Sequence, residues 1–458
     1  MPQPDRLDLP EKPDAGVTAQ LSAWCAGFRN EMLTARALDW ARHALLDWAA
    51  VTVAGAREPL VEMLAQDYAG TDGGPCTLIA LGRRAGAIDA ALINGAAGHA
   101  LDFDDVNPRM NGHPTVPVAP VALALAETTR ASGLDVLRAI VAGHEVECRL
   151  GEMLTRSHYD KGFHATGTVG TFGAAAAAAN LLGLDAERTA HAFGLAATQA
   201  AGLKCMFGTM AKPLHAGKAA MNGLMAAQLA ARGFTAAPDA IECAQGFADT
   251  QAPDFAPCPV RPDPDAAFAI EGTLFKYHAS CYLTHSAIEA IRMLRAEHGA
   301  GLSDLASMTV YATPGHRTVC DIAEPRTGLS VKFSIRHLAA LALDGADTAD
   351  LGLYTDAVAE DARLGEARRK IALDVARPLP HRMAAVVALE TLDGRTLLAE
   401  ANVGLPLPDI SGQWSRLTAK ARAICTPVIG EVRTARMIEA IARLDKAASA
   451  AALLEAIA

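Results

Sequence analysis

The chain is divided by the stretch Gln251-Ala-Pro-Asp-Phe-Ala-Pro-Cys-Pro-Val-Arg-Pro-Asp-Pro264. Proline lacks the amide donor of a helix and biases the residue before it away from the helical conformation, so no helix continues through this stretch. The 458 residues also exceed the roughly 250 to 300 over which one hydrophobic core usually extends. We therefore predict a domain boundary near this stretch and a cleft between two domains.

Before this stretch, the pattern is that of successive helices. Over residues 21–229, apolar residues recur three and four positions apart, and Gly or Pro stands at the breaks. Helical patterns return from Trp414 onward, so we expect the last part of the chain to pack with the first. These two parts predict a large all-helical body formed by residues 1–265 and 410–458.

Between them the pattern is mixed. Strand-like alternation at 307–313 and 370–376 and a hairpin signal over 383–403 stand among helical patterns. We predict a smaller α/β lid domain, residues 266–409, inserted into the body. The fold class is therefore mainly α, with strands confined to the lid.

The composition excludes several classes of protein. A formal charge of −10 argues against a nucleic acid as partner, because phosphate backbones require a basic surface. The nine cysteines are scattered and form no CxxC pair, which is typical of reduced thiols in a cytoplasmic protein. The first residues lack the profile of a signal peptide, and no apolar run is long enough to cross a bilayer, so we expect no membrane partner.

The first candidate for chemistry lies at residues 99–114, in the strings HALDFDD and GHP. Its three closely spaced carboxylates repel one another, so such a cluster either caps helices or binds a cation or a hydrogen-bonding ligand. The Pro and Gly residues between the two strings predict a loop, where binding residues concentrate. Asp102 and His113 are the candidates here.

Two further motifs lie at the starts of predicted helices. His164, in GFHATG, precedes an Ala-rich helix, and such a histidine is either structural or functional. Lys212 and His215, in AKPLHAGKAA, open another helix. The dipole and free amides of a helix N-terminus favour anions, and Lys212 adds a full positive charge. This motif therefore indicates an anion site.

A fourth motif, FKYHASCYLTHSAI at 275–288, lies where the body is expected to meet the lid. Lys276, His278 and Cys281 bring anion-binding and acid/base groups together, the mix expected for chemistry next to a carboxylate. Cys281 has an alternative role as a small buried hydrophobe.

In this order, and followed by VKFSIRHLAALALDG at 331–345, the four motifs resemble the successive motifs of the MmgE/PrpD family. The family includes 2-methylcitrate dehydratase, cis-aconitate decarboxylase and iminodisuccinate epimerase. The resemblance implies an all-helical body with an inserted α/β lid, a homodimer, and a cleft that works without metal or organic cofactor.

The resemblance maps the site of the family onto Asp102, His113, His164, Lys212 and Lys276. Together with the motifs above, we predict as catalytic residues His113, His164, Asp102 and Cys281. We predict as substrate-binding residues Lys212, Lys276, His215, His278 and His337. Three positions depart from the decarboxylase branch, which has a histidine at Cys281, a tyrosine at His337 and a threonine at Val106. These departures favour another reaction of the family over decarboxylation.

The expected function is a dehydratase-type lyase that removes a proton beside a carboxylate of a small di- or tricarboxylate. Fixed lysines and imidazoles in a closed cleft stabilise the charge that grows on that carboxylate. The alternative is an epimerase of an iminodisuccinate-like dicarboxylate, in which Cys281 returns a proton from the opposite face.

Two other classes are weighed against these. An isoprenoid synthase would use Asp104 and Asp105 to hold magnesium, but no third carboxylate follows at helical spacing, and only 5% of the residues are aromatic. A non-catalytic paralogue would bind the same ligands without turnover, and turnover of any polycarboxylate would exclude it.

Overall fold

The computed structural model describes residues 16–70, 73–260, 263 and 265–458. The predicted N-terminal profile and part of the Pro-rich boundary lie outside the described residues. Among those residues the protein is mainly helical, as predicted. The part before the boundary contains α1 (Val17–Gly27), α2 (Ala35–Gly55), α3 (Pro59–Tyr68), α4 (Ala87–His99), α5 (Thr115–Thr129), α6 (Gly133–Met153), α7 (Thr155–Asp160), α8 (Ala165–Leu182), α9 (Ala186–Ala197), α10 (Ala211–Ala231) and α11 (Phe247–Gln251).

Local sequence explains where these helices begin and how closely they pack. Ser132 and Asp135 form a capping box at the start of α6, and Gly183 ends α8 in the left-handed conformation. Glycine lets α10 approach α4, since a Cβ atom at Gly217 would lie 2.3 Å from the Leu92 carbonyl oxygen. This close approach brings the start of α10 beside the end of α4.

One feature corrects the prediction of an all-helical body. β1 (Cys76–Leu78) pairs antiparallel with β2 (Arg83–Ala85) between α3 and α4. Strands of three residues are too short to show the alternation by which strands are recognised in a sequence. The hairpin was therefore missed, although it lies within a described and otherwise helical part of the chain.

A four-stranded sheet forms where strands were predicted. The strand order is β4-β3-β5-β6, in which β3 and β4 are parallel and the other pairs are antiparallel. Gly394, with φ of +84°, supplies the turn between β5 and β6. The elements of this part are α12 (His285–His298), β3 (Leu305–Tyr311), α13 (Pro314–Val319), α14 (Gly328–Val331), α15 (Ile335–Asp344), α16 (Asp356–Ala359), α17 (Ala362–Arg369), β4 (Ile371–Asp374), β5 (Ala384–Thr391) and β6 (Thr396–Asn402).

The last helices pack against the first ones. They are α18 (Ile410–Ile429), α19 (Glu431–Ala442) and α20 (Ala451–Ile457). Leu417 and Ile424 of α18 share a core with Trp40 and Trp48 of α2. Residues of 287–397 pack into a separate core around the four-stranded sheet. Within the described residues, no helix has the length and apolar character needed to cross a membrane.

Candidate functional site

Asp102 lies at the centre of a cluster of charged side chains. Its Oδ1 atom is 2.8 Å from Nζ of Lys212 and 2.8 Å from Nζ of Lys276. Lys276 also donates to the Asp102 backbone oxygen at 2.5 Å. The Asp102 side chain is 48% exposed, whereas those of Lys212 and Lys276 are 12% and 4% exposed. Two ammonium groups therefore face a solvent-accessible carboxylate from the protein side.

Three separate segments supply this arrangement. Asp102 follows α4 in the predicted loop and has a φ of +50°, a left-handed conformation that aspartate tolerates better than most residues. Lys212 is in the first turn of α10, as the sequence indicated. Lys276 comes from the segment that precedes α12 and is buried.

A second carboxylate, Asp104, organises two histidines below Asp102. The Nδ1 atom of His99 lies 2.9 Å from both Asp104 oxygens, and Nδ1 of His113 lies 3.1 Å from Oδ2. Nε2 of His113 is then 3.7 Å from Oδ1 of Asp102. Asp104 is 1% exposed, so it acts on the histidines from the protein interior.

His164 and His215 form the opposite side of the cluster. Their Nδ1 atoms are 3.0 Å apart, and the His164 ring lies 5.7 Å from that of His99. The exposed ring of Phe207 packs edge-on against His164 at 4.9 Å and lies 5.4 Å from Nζ of Lys212. Phe207 therefore covers both groups on the solvent side.

The charges of the cluster follow from burial and from neighbouring groups. The surrounding protein removes part of the hydration of Asp102 and so raises its pKa, but Lys212 and Lys276 outweigh this effect and hold that pKa well below its usual range. Burial lowers the pKa of His164 well below its usual value, and His99 and Lys212 lower it further. At neutral pH the site therefore combines a carboxylate, two ammonium groups and a neutral imidazole that can accept a proton.

The third carboxylate of the loop faces elsewhere. Asp105 accepts a hydrogen bond from the Thr115 hydroxyl at 2.5 Å, and that hydroxyl lies 3.0 Å from Nε2 of His144. Burial raises the pKa of Asp105 well above its usual value, and Asp47 raises it further. Asp104 and Asp105 thus have different partners, which is unlike the shared magnesium site that an isoprenoid synthase would need.

The cluster also contains a donor set for a metal ion, and cation binding was one of the roles that the sequence left open for these carboxylates. Ligand atoms of His99, Asp102, Asp104 and His113 all lie within 4.8 Å of one another. Two imidazoles and two carboxylates suit zinc or another transition metal. However, the ammonium groups of Lys212 and Lys276 already neutralise Asp102 and would repel a divalent cation. The arrangement favours an anionic ligand.

Cys281 lies at the edge of the cluster, near enough for Lys276 and Asp102 to affect its charge. A hydrogen bond with Cys320 lowers the pKa of the Cys281 thiol; burial raises it, and Lys276 lowers it further. The buried thiol of Cys320 is the larger cause, and it is a partner that sequence spacing did not reveal.

Two predicted substrate-binding histidines lie outside the cluster. His278 is buried between the Thr348 hydroxyl, at 2.7 Å, and Glu289, at 2.8 Å. His337 is buried within α15, and its pKa is lowered to about 4 by burial and by Arg368. Neither has a described side-chain contact with Asp102 or the two lysines, so the structure does not bring them into the cluster.

Other members of the cluster were not predicted as site residues of a polycarboxylate enzyme. His99 and Asp104 stand in the quoted HALDFDD string, but neither was among the candidate catalytic or substrate-binding residues. Lys332, in the VKFSIRHLAALALDG string, is influenced by the charges of Asp102 and Lys276, and burial lowers its pKa. A lysine next to a recognised motif was the available signal, but its proximity to Asp102 depends on the packing of distant segments.

Family models match both parts of the chain. The MmgE/PrpD N-terminal domain matches residues 19–257, and the MmgE/PrpD C-terminal domain matches residues 278–446. All five groups of the site that the resemblance implied, Asp102, His113, His164, Lys212 and Lys276, fall on one or the other segment or directly before the second. The two models together cover most of the described chain.

Several curated proteins are similar to this chain. A cis-aconitate decarboxylase of Aspergillus terreus (strain NIH 2624 / FGSC A1156) is 28% identical over 352 residues, which cover 72% of this chain and 72% of that protein. The cis-aconitate decarboxylase-like protein oryM of Aspergillus oryzae (strain ATCC 42149 / RIB 40) is 31% identical over 305 residues, 62% of this chain and 63% of that protein. The cis-aconitate decarboxylase of Homo sapiens is 39% identical over 164 residues, 34% of each chain.

Proposed function

Because the chain belongs to the MmgE/PrpD family, we propose that it is a dehydratase-type lyase acting on a small tri- or dicarboxylate. The observation that carries the proposal is the pair of ammonium groups, Lys212 and Lys276, each held 2.8 Å from one carboxylate oxygen of the half-exposed Asp102. A substrate carboxylate that enters beside Asp102 would share these cations. The names of the relatives point to the same class of substrate.

In the proposed reaction, a base removes the proton on the carbon next to the bound carboxylate. The negative charge then spreads onto that carboxylate, where Lys212 and Lys276 stabilise it without reorganisation because they are already fixed. His164 is suited to be the base, since its lowered pKa keeps the imidazole neutral. The second half of the step is loss of the β-hydroxyl group with a proton from an acid, which gives an alkene and water.

We assign that acid role to His113. Its Nδ1 atom is 3.1 Å from Asp104, which orients the ring, and its Nε2 atom faces the solvent-accessible Asp102. A carboxylate behind an imidazole stabilises the protonated ring, which can then deliver a proton to a leaving hydroxyl group. Asp102 positions the two lysines or accepts a hydrogen bond from a substrate hydroxyl.

The test is a proton NMR screen of hydroxy-acids, unsaturated tricarboxylates and other dicarboxylates in deuterium oxide. We expect exchange of the α-proton and appearance of an alkene that absorbs in the ultraviolet. Cis-aconitate belongs in the screen because the relatives carry its name; carbon dioxide release from it would show carbon–carbon cleavage instead of dehydration. No exchange and no product with any compound would contradict the proposal.

A second candidate is an epimerase, favoured by the lowered pKa of Cys281 beside the cluster. In a two-base mechanism one group removes the proton, and a group on the other face returns one. Cys281→Ser would then abolish inversion of an epimerisable dicarboxylate but leave deuterium exchange measurable on one enantiomer. If the serine variant keeps full activity in both assays, Cys281 is a packing residue.

We also propose a division into a helical body, residues 1–265 and 410–458, and a lid, residues 266–409. The separate core of residues 287–397 supports it, as does the packing of α18 on α2. The family models divide the chain only once, between 257 and 278, so the insertion is a proposal of ours. Limited proteolysis that releases the lid as one stable fragment would support these boundaries.

Three further expectations stay proposals: activity without metal, a homodimer and a cytoplasmic location. The first bears on the site directly, because His99, Asp102, Asp104 and His113 form a possible donor set. Exhaustive chelation followed by assay tests it. Loss of activity that returns with added metal would show that Asp102 and Asp104 bind a metal ion in addition to their contacts with the protein.

A further inference from the structure

A cavity of about 600 Å³ lies behind the candidate site, between α12, the turn after α15 and α18. Its volume falls within the range of small-molecule sites. Tyr277 and His278 form part of its wall, directly after Lys276 in the chain. Lys276 itself points the other way, to Asp102, so the cavity is separate from the cluster described above.

The wall of this cavity is strongly cationic in a protein whose net charge is −10. Arg292 and Arg295 reach it from α12, and Arg416 reaches it from α18. Among the described residues, Asp347 is the one acidic group in the lining, and its Oδ1 atom already accepts a hydrogen bond from the Ala349 amide at 3.0 Å.

The three guanidinium groups retain free donors. Arg292 has no described ion pair or hydrogen bond through its side chain. Arg295 donates from one terminal nitrogen to the Leu343 carbonyl oxygen, and Arg416 donates from one to Glu289. Each guanidinium carries five N–H groups in a planar fork that matches carboxylate and phosphate oxygens. Guanidinium groups from two different elements thus converge on one space, and Arg416 keeps further donors beside its ion pair with Glu289.

We propose that this cavity is a second binding site, which takes a small multivalent oxyanion held by Arg292, Arg295 and Arg416. The ligand carries phosphate or carboxylate groups, because these accept paired hydrogen bonds from arginine. It bridges α12 and α18 and thereby fixes the helix that follows the Lys276 segment against the helix that carries Lys420. The proposal does not depend on the reaction assigned to Asp102 and its lysines.

The test measures binding of inorganic pyrophosphate and of citrate by calorimetry at constant ionic strength. The Lys212→Ala variant serves as the background, so that binding beside Asp102 is weakened. We expect binding of at least one anion, and Arg292→Gln is expected to raise its Kd about tenfold. Tighter binding of pyrophosphate would identify a phosphate ligand, and tighter binding of citrate a polycarboxylate.

The matched control is Arg188→Gln, which removes an exposed arginine from α9, far from this lining. Arg292→Lys keeps the charge without the fork and is expected to bind with intermediate affinity, which shows that a loss in Arg292→Gln is not a folding defect. Absence of binding of both anions up to about 10 mM, or equal weakening by Arg292→Gln and Arg188→Gln, would overturn the proposal.

Discussion

The protein contains two lysine–aspartate arrangements that differ in purpose. In one, Asp102 is half exposed and receives two ammonium groups at 2.8 Å. In the other, Lys420 and Asp47 meet at 2.6 Å with side-chain exposures of 2% and 0%. Nζ of Lys420 also donates to the carbonyl oxygens of Phe103 and Lys276, at 2.7 and 2.9 Å. All three of its donors are therefore used by the protein.

The two arrangements also differ in how their pKa values move. Burial raises the pKa of Asp47 and lowers that of Lys420, each more than the partner's opposite charge restores it. In the exposed arrangement the attraction wins: the pKa of Asp102 falls well below its usual range, and that of Lys276 rises although burial opposes it. Two ammonium groups around one half-exposed carboxylate indicate ligand binding, whereas a saturated buried pair indicates structural support.

The largest predicted effect is on the free energy of unfolding, at the buried pair of Lys420 and Asp47. Lys420→Met leaves Asp47 and two carbonyl groups without a donor, and we expect a loss of about 3 to 5 kcal/mol in the free energy of unfolding. Urea denaturation measures it. The double variant Asp47→Leu, Lys420→Met removes the unpaired charge and is expected to recover most of the stability. A single variant as stable as the wild type would refute the structural role of Lys420.

At the exposed arrangement we expect the opposite outcome. Lys212→Ala removes a charge whose contact strengthens as the substrate carboxylate becomes more negative. We expect kcat/KM to fall by an amount that corresponds to a loss of about 2 to 4 kcal/mol in transition-state stabilisation, with little change in the melting temperature. Lys218→Ala, on the same helix, is the matched control. Lys276→Ala is expected to lose activity and some stability, because Lys276 is buried. A large shift in melting temperature with near-normal activity in Lys212→Ala would show that Lys212 is structural.

Acidification is expected to lower the stability of the protein through His99, which pairs with Asp104 in the cluster around Asp102. The pKa of His99 is lowered to about 4, chiefly by burial. Below the unfolded pKa of about 6.5, the unfolded chain binds a proton that the folded chain does not, so this residue's stabilising contribution is lost as the pH falls toward 4. We expect up to about 1.4 kcal/mol per pH unit from His99.

Urea denaturation between pH 7 and 4, in the wild type and in His99→Asn, measures this slope. The variant is expected to show a shallower decline of the free energy of unfolding on acidification. Asp102 keeps its charge over the same range, because its folded pKa is depressed, and its contribution to stability is lost only as the pH falls from the unfolded pKa of about 3.9 toward that lower value. An unchanged slope in His99→Asn would mean that His99 is already protonated in the folded protein.

The smallest effect is expected at Phe207, which covers the exposed arrangement. Phe207→Ala removes the ring that packs on His164 and lies near Lys212, so water can reach both groups. We expect kcat/KM to fall by an amount that corresponds to a loss of about 1 kcal/mol in transition-state stabilisation. Phe207→Leu keeps apolar cover and is expected to lose less. Equal kinetics of both variants and the wild type would show that the ring has no shielding role.

Much of the site could be predicted because its residues stand next to local signals. Lys212 opens a helix, and His164 precedes one, and both follow from the pattern of nearby residues. The loop that carries Asp102 and His113 follows from Pro and Gly. These features depend on a few neighbouring positions, so a single sequence contains the information.

The rest of the site could not be predicted, because it depends on which side of a segment faces which neighbouring segment. His278 and Lys276 are two residues apart, yet one pairs with Glu289 and the other with Asp102. The density of titratable groups in FKYHASCYLTHSAI could not separate them. The partnership of Cys281 with Cys320 and the proximity of Lys332 to Asp102 likewise arise from packing between segments that are distant in the sequence.

The contacts of Lys420 also set the order in which the protein can be assembled. The Phe103 carbonyl group accepts a hydrogen bond from Lys420, which is 317 residues further along the chain. During synthesis, the loop of Asp102 and the segment of Lys276 both leave the ribosome before α18 exists, so neither can be locked in place at that stage. We therefore expect the nascent chain to complete its binding site only after α18 has emerged and packed onto α2, and a chain that stops before residue 420 to remain without one.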